Sequence, residues 1–77
     1  MKTFVIKETD FIIPIWSVTK ARKLLDRWSG FTDVYLKEIR YEEKNLMIFS
    51  IFTVFICGDA AKVNTMTRLI SDELNKI

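Results

Sequence analysis

Residues 46–57 read LMIFSIFTVFIC and form the longest apolar stretch of the chain, interrupted only by Ser50 and Thr53. The stretch is too short for a membrane-spanning helix, which needs about 20 apolar residues. Isoleucine, phenylalanine and valine dominate it, and these side chains favour extended backbone, so it predicts a β-strand. Both alternating faces of that strand are apolar, which is typical of a strand covered on both sides.

Residues 31–41, upstream of this stretch, are also typical of a strand. The polar segment 42–45, EEKN, lies between the two. Together they predict an antiparallel hairpin with a four-residue loop. In that register, Tyr35 is expected to face Phe52.

The amino-terminal part of the chain predicts one further strand, over residues 2–8, because Phe4 and Ile6 share one face and β-branched Val5 favours an extended backbone. Thr9 and Asp10 predict a turn after it. The apolar segment 11–16 contains Pro14, which has no backbone N–H to donate. We therefore expect this segment to form either a short edge strand or a buried loop.

Two helices are predicted from the spacing of apolar residues. The first is expected from Ser17, a favourable N-cap, to Ser29, with Gly30 in the left-handed position after its end. The second begins after Asp59, and apolar residues recur in it at three- and four-residue steps to the end of the chain.

The order strand, helix, strand, strand, helix predicts an α+β fold with a single domain over residues 1–77. We expect a small β-α-β-β-α two-layer sandwich with the antiparallel hairpin at its centre. This is a ferredoxin-like half-sandwich that lacks the last strand. The order resembles that of ligand-sensing regulatory modules of the ACT type, a resemblance of topology alone. It implies a ligand pocket between two protomers.

Composition limits the chemistry available to the chain. With 77 residues, 49% of them hydrophobic, and only two glycines and one proline, it is not a disordered or low-complexity segment. The absence of histidine and the single cysteine, Cys57, argue against a histidine-activated nucleophile, a zinc site and a disulfide framework. We therefore predict no enzymatic activity, no catalytic residues, no cofactor and no metal, and we expect Cys57 to be a buried structural thiol.

The amino-terminal apolar run stops at the charged residues 7–10, which is too early for a secretory signal. Together with the unpaired thiol, this predicts a cytoplasmic protein with no membrane partner.

The first predicted helix concentrates positive charge. Lys20, Lys23 and Arg27 form a stripe opposite its apolar side, Arg22 lies beside the stripe, and Trp16 precedes the helix where its ring could stack. Such a face can bind an acidic protein surface or a nucleic acid. The alternative is an ordinary solvated helix face. The net charge of only +2 argues against strong non-specific DNA binding.

The hairpin predicts a second interaction surface, since two helices can cover only one face of a small sheet. The other face needs a second copy of the chain, another protein, a ligand, or segment 11–16 folded over it. We expect a homodimer. The predicted self-association residues are Tyr35, Ile39, Phe49, Ile51, Phe52 and Phe55.

These features predict a small non-enzymatic interaction protein that binds another macromolecule in a regulatory, accessory or inhibitory role, as a homodimer. The lysine- and isoleucine-rich composition suits an AT-rich genome, such as that of many phages. One alternative is an RNA- or DNA-binding module that uses the basic helix. A further alternative is a ligand-sensing regulatory domain with its pocket between protomers.

Overall fold

A computed structural model describes residues 3–77 of the chain. The sheet has three antiparallel strands in the spatial order Phe4–Pro14 (β1), Phe49–Asp59 (β3) and Leu36–Leu46 (β2), so the last strand of the sequence is the central one. The predicted α+β class is confirmed. The predicted first strand included Lys2, which lies outside the described residues. The elements, in chain order, are β1 (Phe4–Pro14), a short 3₁₀ helix (Ile15–Ser17), α1 (Val18–Trp28), β2 (Leu36–Leu46), β3 (Phe49–Asp59) and α2 (Ala60–Leu74).

Strand β3 organises the core because its side chains alternate between two environments. Phe52, Val54 and Ile56 are buried, whereas Phe49 and Phe55 are only half-buried. We call the side of the sheet that carries Phe52 the inner face and the opposite side the outer face. The apolar sides of both helices join the inner face in one hydrophobic core. The outer face has no such cover within residues 3–77.

Helix α1 lies within one residue of its prediction at each end. Gly30 follows it with φ +82°, a left-handed conformation that glycine adopts without steric cost. Two polar contacts join α1 to β2: Arg22 donates to Glu43, and the Tyr41 hydroxyl donates to Asp26. The buried apolar residues of α1 are Val18, Ala21, Leu24 and Leu25.

Helix α2 begins at Ala60 directly after Asp59, as predicted, but it ends at Leu74 rather than at the end of the chain. The indole N–H of Trp28 donates to Glu73 at 3.1 Å and so links the two helices. The buried residues of α2, spaced three and four apart, are Val63, Met66, Ile70 and Leu74. Neither α-helix in the described part of the chain is long and apolar enough to cross a bilayer.

The predicted hairpin register is wrong. Leu46 pairs with Phe49, so the turn is only Met47 and Ile48, and segment 42–45 belongs to β2. Tyr35 precedes β2 instead of facing Phe52.

The polar residues of segment 42–45 are compatible with a strand because both sides of β2 provide polar partners or water for them. Glu43 lies on the inner face, where Arg22 neutralises it, while Glu42 and Lys44 lie on the outer face in water. Segment 42–45, at the edge of the sheet, therefore continues β2, although a loop was predicted there.

The prediction for the first strand is also wrong in length. β1 continues through Thr9 and Asp10 and pairs with β3 along all of its 11 residues. Asp10 is accommodated because its carboxylate accepts a hydrogen bond from the Thr53 hydroxyl at 2.7 Å. Pro14 is the last residue of this edge strand, a position where a missing N–H is tolerated. Residues 11–14 therefore belong to β1, and residues 15 and 16 belong to the 3₁₀ helix. The segment does not cover the outer face.

Close backbone packing occurs where β2 begins. The register of β2 against β3 shifts between Leu36 and Glu38, which is a β-bulge. The Asp59 N–H donates to the Tyr35 carbonyl at 2.8 Å. A Cβ atom at Gly58 would clash with that same carbonyl oxygen, so this position requires glycine.

Candidate functional site

The outer face is a nearly rectangular surface built from side chains that lie directly opposite each other on neighbouring strands. Its long axis follows the strands, and β3 runs along its centre. From one end to the other, its cross-strand rows are Phe4 with Asp59; Ile6 with Cys57 and Glu38; Glu8 with Phe55 and Arg40; Asp10 with Thr53 and Glu42; Ile12 with Ile51 and Lys44; and Pro14 with Phe49 and Leu46.

Apolar side chains on this face are open to water. Ile6 is 73% exposed and Ile12 is 69% exposed, and both lie beside the half-buried residues of β3. The central strand contributes Phe49, Ile51 and Phe55. The polar row of Asp10, Thr53 and Glu42 divides these apolar side chains into two groups. Groups of exposed large apolar side chains mark interaction surfaces more often than isolated ones do.

We call Phe49, Ile51 and Phe55 of β3 the apolar strip. Charged residues lie beside it on both neighbouring strands, and on β1 these are Glu8 and Asp10. On β2, acidic and basic side chains alternate along the outer face, with Glu38 and Glu42 on either side of Arg40. The Arg40 guanidinium lies 3.9 Å from the centre of the Phe55 ring, a cation–π contact that holds it over the strip. Its ion pairs to the two glutamates are long, at 3.6 and 3.8 Å, and exposed, so they contribute little.

Cys57 lies on the outer face and is half-buried, not enclosed in the core as predicted. Its neighbours in the row are Ile6 and Glu38. The thiol is therefore accessible in a single copy of the chain.

The structure divides the predicted self-association residues into two groups. Phe49, Ile51 and Phe55 lie on the outer face. Ile39 and Phe52 lie in the hydrophobic core, with 2% and 0% of their surfaces exposed. The last two therefore hold the helices and do not present a surface to a partner in the folded chain. The sequence did not show which face of the sheet the helices cover, so the prediction included residues from both faces.

Tyr35, the sixth predicted self-association residue, lies in the segment between α1 and β2 and is partly exposed. Its N–H donates to the Asp33 carboxylate at 2.7 Å. That carboxylate is also bound by Lys62 at 3.0 Å, and this contact is the main reason that the pKa of Asp33 is lowered. Tyr35 therefore belongs to a polar loop at the end of the sheet.

Four of the five predicted macromolecule-binding residues lie on α1, and the fifth, Trp16, lies in the 3₁₀ helix before it. Lys20, Lys23 and Arg27 are exposed, and Trp16, in the 3₁₀ helix before α1, is 80% exposed. Their spacing of four, three and four residues matches one side of a helix. We call these four residues the basic stripe.

Arg22, the fifth predicted binding residue, is engaged within the fold. Its Nε and Nη2 atoms donate to the two carboxylate oxygens of Glu43 at 2.6 and 2.8 Å. This bidentate contact raises the pKa of Arg22 and, in the opposite direction, lowers the pKa of Glu43. Arg22 therefore positions α1 on β2, unlike the residues of the basic stripe.

The second polar contact between α1 and β2 joins Tyr41 and Asp26. The tyrosine hydroxyl donates to the carboxylate at 2.5 Å, and this hydrogen bond, together with burial, raises the pKa of Tyr41 to about 12. The phenol therefore stays protonated and serves as a hydrogen-bond donor at neutral pH. Among residues 3–77, no three His, Cys, Asp or Glu side chains cluster closely enough to hold a metal ion.

Sequence reasoning did not identify Ile6 and Ile12 as surface residues, because it ended the first strand at Glu8. The signal was present: Phe4, Ile6 and Ile12 all occupy even-numbered positions, which share one side of a continuous strand. Comparisons of this chain with protein-family models, curated proteins and solved structures give no match.

Proposed function

We propose that this chain is a small non-enzymatic interaction protein that forms a homodimer through its outer face and binds another macromolecule in a regulatory, accessory or inhibitory role. The observation that carries the proposal is the uncovered apolar strip of Phe49, Ile51 and Phe55, flanked by Ile6 and Ile12. Leaving such a strip in water costs roughly 25 cal/mol per Å² of apolar surface.

The outer face is large enough to hold two copies together. Strands about 4.8 Å apart and about 3.4 Å long per residue give three strands of 11 residues a face of about 500 Å². Two such faces in contact remove about 1,000 Å² from water, which is about the minimum area for a biological interface. A two-fold dimer is the commonest arrangement for such a surface.

Sedimentation equilibrium at micromolar concentrations tests this proposal. Wild-type protein is expected to sediment as a dimer of the 9.1 kDa chain. Ile51→Asp, in the middle of the strip, is expected to give a folded monomer. Leu69→Asp is the matched control, because Leu69 is an exposed apolar residue of α2, away from the outer face, and its replacement is expected to leave the dimer intact. A stable wild-type monomer contradicts the proposal.

The finer description of the fold belongs to the same proposal. We infer a ferredoxin-like half-sandwich without its last strand, because β3 lies antiparallel between β1 and β2. The packing of both helices on the inner face supports this arrangement.

A second candidate function, binding of single-stranded RNA or DNA, is favoured by Trp16. An aromatic ring in line with basic side chains is the combination that single-stranded nucleic-acid sites use, with bases stacked on the ring and phosphates held by the cations. The basic stripe supplies the cations from α1 and the ring from the 3₁₀ helix before it, and none of its residues makes an ion pair within residues 3–77.

Titration with a labelled single-stranded oligonucleotide at several salt concentrations tests this second function. Replacing the three cations of the basic stripe with glutamate is expected to abolish binding, and Trp16→Ala is expected to weaken it. The matched control replaces Lys37, Arg68 and Lys76 with glutamate, which makes the same change in charge elsewhere. The affinity should fall by about 0.7–0.9 log unit per log unit of salt for each phosphate contact. Equal losses in the two triple variants would contradict a specific site.

A further inference from the structure

We propose a defined register for the dimer: the two outer faces stack with the two-fold axis lying across the strands, between the row of Phe55 and the row of Thr53. This inference rests on the proposed homodimer and specifies which residues meet. In this register, Glu38 of one copy faces Lys44 of the other, and Arg40 faces Glu42.

The geometry follows from the symmetry. A two-fold axis across the strands keeps each strand over its own counterpart and reverses the order of the rows. The two sheets then run antiparallel, with their strands within about 30° of each other, as in aligned sheet packing. Each contact occurs twice in the dimer.

The apolar residues also match in this register. Ile6 faces Ile12 of the other copy, and Cys57 faces Ile51. The exposed isoleucines at the two ends of β1 are therefore buried against each other. Two unfavourable contacts remain: Glu8 faces Asp10 at the β1 edge, and Asp59 faces Phe49 at the ends of β3.

The alternative two-fold axis, parallel to the strands, gives a poor match. It exchanges β1 with β2 and keeps each row over itself, so Ile6 would face Glu38 and Ile12 would face Lys44. Both isoleucines would then lie against charged side chains.

Moving the transverse axis by half a row is also unfavourable. An axis through the row of Thr53 places Glu42 over its own copy, and an axis through the row of Phe55 places Arg40 over its own copy. Like charges that face each other across an interface disfavour it. Charge alternation along β2 therefore favours an axis between two rows, and the axis between the rows of Phe55 and Thr53 pairs all four charged residues that β2 contributes to these rows and gives the largest overlap of the two faces.

A charge-reversal cycle at the β2 edge tests the register. Because each pair occurs twice, Lys44→Glu is expected to raise the dimer dissociation constant by at least about tenfold. Glu38→Lys alone is expected to weaken the dimer as well, and the double variant Glu38→Lys/Lys44→Glu is expected to restore most of the affinity. Both residues are exposed, so the fold should persist, and circular dichroism checks this.

A third variant gives a result of opposite sign. Glu8→Lys replaces the Glu8–Asp10 repulsion with an attraction and is expected to tighten the dimer. With the axis parallel to the strands, Glu8 would instead face Arg40, and the same variant would weaken the dimer. General repulsion cannot mimic these results, because Glu8→Lys raises the positive net charge and Lys44→Glu lowers it.

The measurement is the dimer dissociation constant from sedimentation, with Arg68→Glu on α2 as the control that leaves it unchanged. Rescue in the double variant together with tightening by Glu8→Lys supports the register. A dimer that Lys44→Glu does not weaken, or that Glu8→Lys weakens, overturns the register but leaves the proposed homodimer standing. A wild-type chain that stays monomeric overturns both.

Discussion

Phe52 and Phe55 are the same residue type, three positions apart in one strand, yet they have opposite environments. Phe52 is fully buried beneath the helices, whereas Phe55 lies half-buried on the outer face under Arg40. The difference shows that apolar content alone does not place a residue in the core of a 77-residue chain. The helices cover only one side of the sheet, and the charged edges of the other side keep it hydrated.

The largest expected effect separates these two phenylalanines. Phe52→Ala is expected to lower the free energy of unfolding by about 3–5 kcal/mol, because it leaves a cavity under both helices. Phe55→Ala is expected to cost about 1 kcal/mol, mostly from the lost contact with Arg40. Urea denaturation of dilute protein measures both, and equal losses would show that the outer face is as enclosed as the inner one.

The next comparison uses neighbouring positions of β3 on opposite faces. Gly58→Ala is expected to cost about 1–3 kcal/mol, because the added methyl group collides with the Tyr35 carbonyl and the strands must move apart. Cys57→Ala, on the open face, is expected to cost less than about 1 kcal/mol. Thermal unfolding measures the pair. If Gly58→Ala is as stable as wild type, the backbone at the β-bulge must be able to move aside and make room for the methyl group.

Polar contacts at the edge of the inner face give a smaller, pH-dependent effect. Tyr41→Phe removes the hydrogen bond to Asp26 and is expected to cost about 1 kcal/mol at neutral pH. The pKa of Tyr41 is raised in the folded state, from 10.0 to about 12, so its contribution is complete below pH 10 and is lost as the pH rises toward 12. The stability difference between wild type and Tyr41→Phe should therefore shrink across that interval. A constant difference would contradict the assignment.

The smallest expected effect concerns Glu43. Its pKa is lowered in the folded state by the hydrogen bonds from Arg22, so its contribution is present above its ordinary value of 4.5 and is lost as the pH falls below that value. Glu43→Gln should lower stability at pH 7 by less than Tyr41→Phe does, because water screens the half-exposed guanidinium. Chemical denaturation at pH 7 and pH 3 checks this, and the stability difference between the two proteins should be smaller at the lower pH.

Local signals in the sequence were sufficient for both ends of α1 and for the start of α2, although α2 ends three residues before the predicted end. Apolar spacing placed α1 and α2, and Gly30 marked the end of α1 because few other residues adopt its left-handed backbone. These features depend on residues close together in the chain, so they can be inferred without knowing the tertiary structure.

The strand ends could not be placed in the same way, because long-range contacts decide them. Glu43 belongs to a strand because Arg22, on a different element, binds it. Asp10 continues β1 because Thr53 donates to it. Each polar residue in isolation predicts a loop, and only its distant partner changes that outcome. Which face of the sheet the helices cover is also decided by tertiary contacts, so the predicted self-association residues included Ile39 and Phe52, which the structure buries.

For the outer face and the basic stripe, the sequence indicated which types of residue are present. It did not indicate which side chains can contact a partner. The cations of the basic stripe and the aromatic residues of the outer face were identified from spacing and composition. That Arg22 is already bound within the fold, and that Ile6 and Ile12 extend the apolar strip, required the three-dimensional pairing.

The two-residue hairpin turn makes the two methionines among residues 3–77 chemically unequal. Met47, at the tip with φ 49°, is 95% exposed, whereas Met66 is enclosed in the core. Peroxide converts an accessible thioether to a sulfoxide, and this polar product is tolerated at a turn but not among packed apolar side chains. Met47 should therefore be oxidised at once in the native protein. The much slower oxidation of Met66 would then report how often α2 lifts away from the sheet.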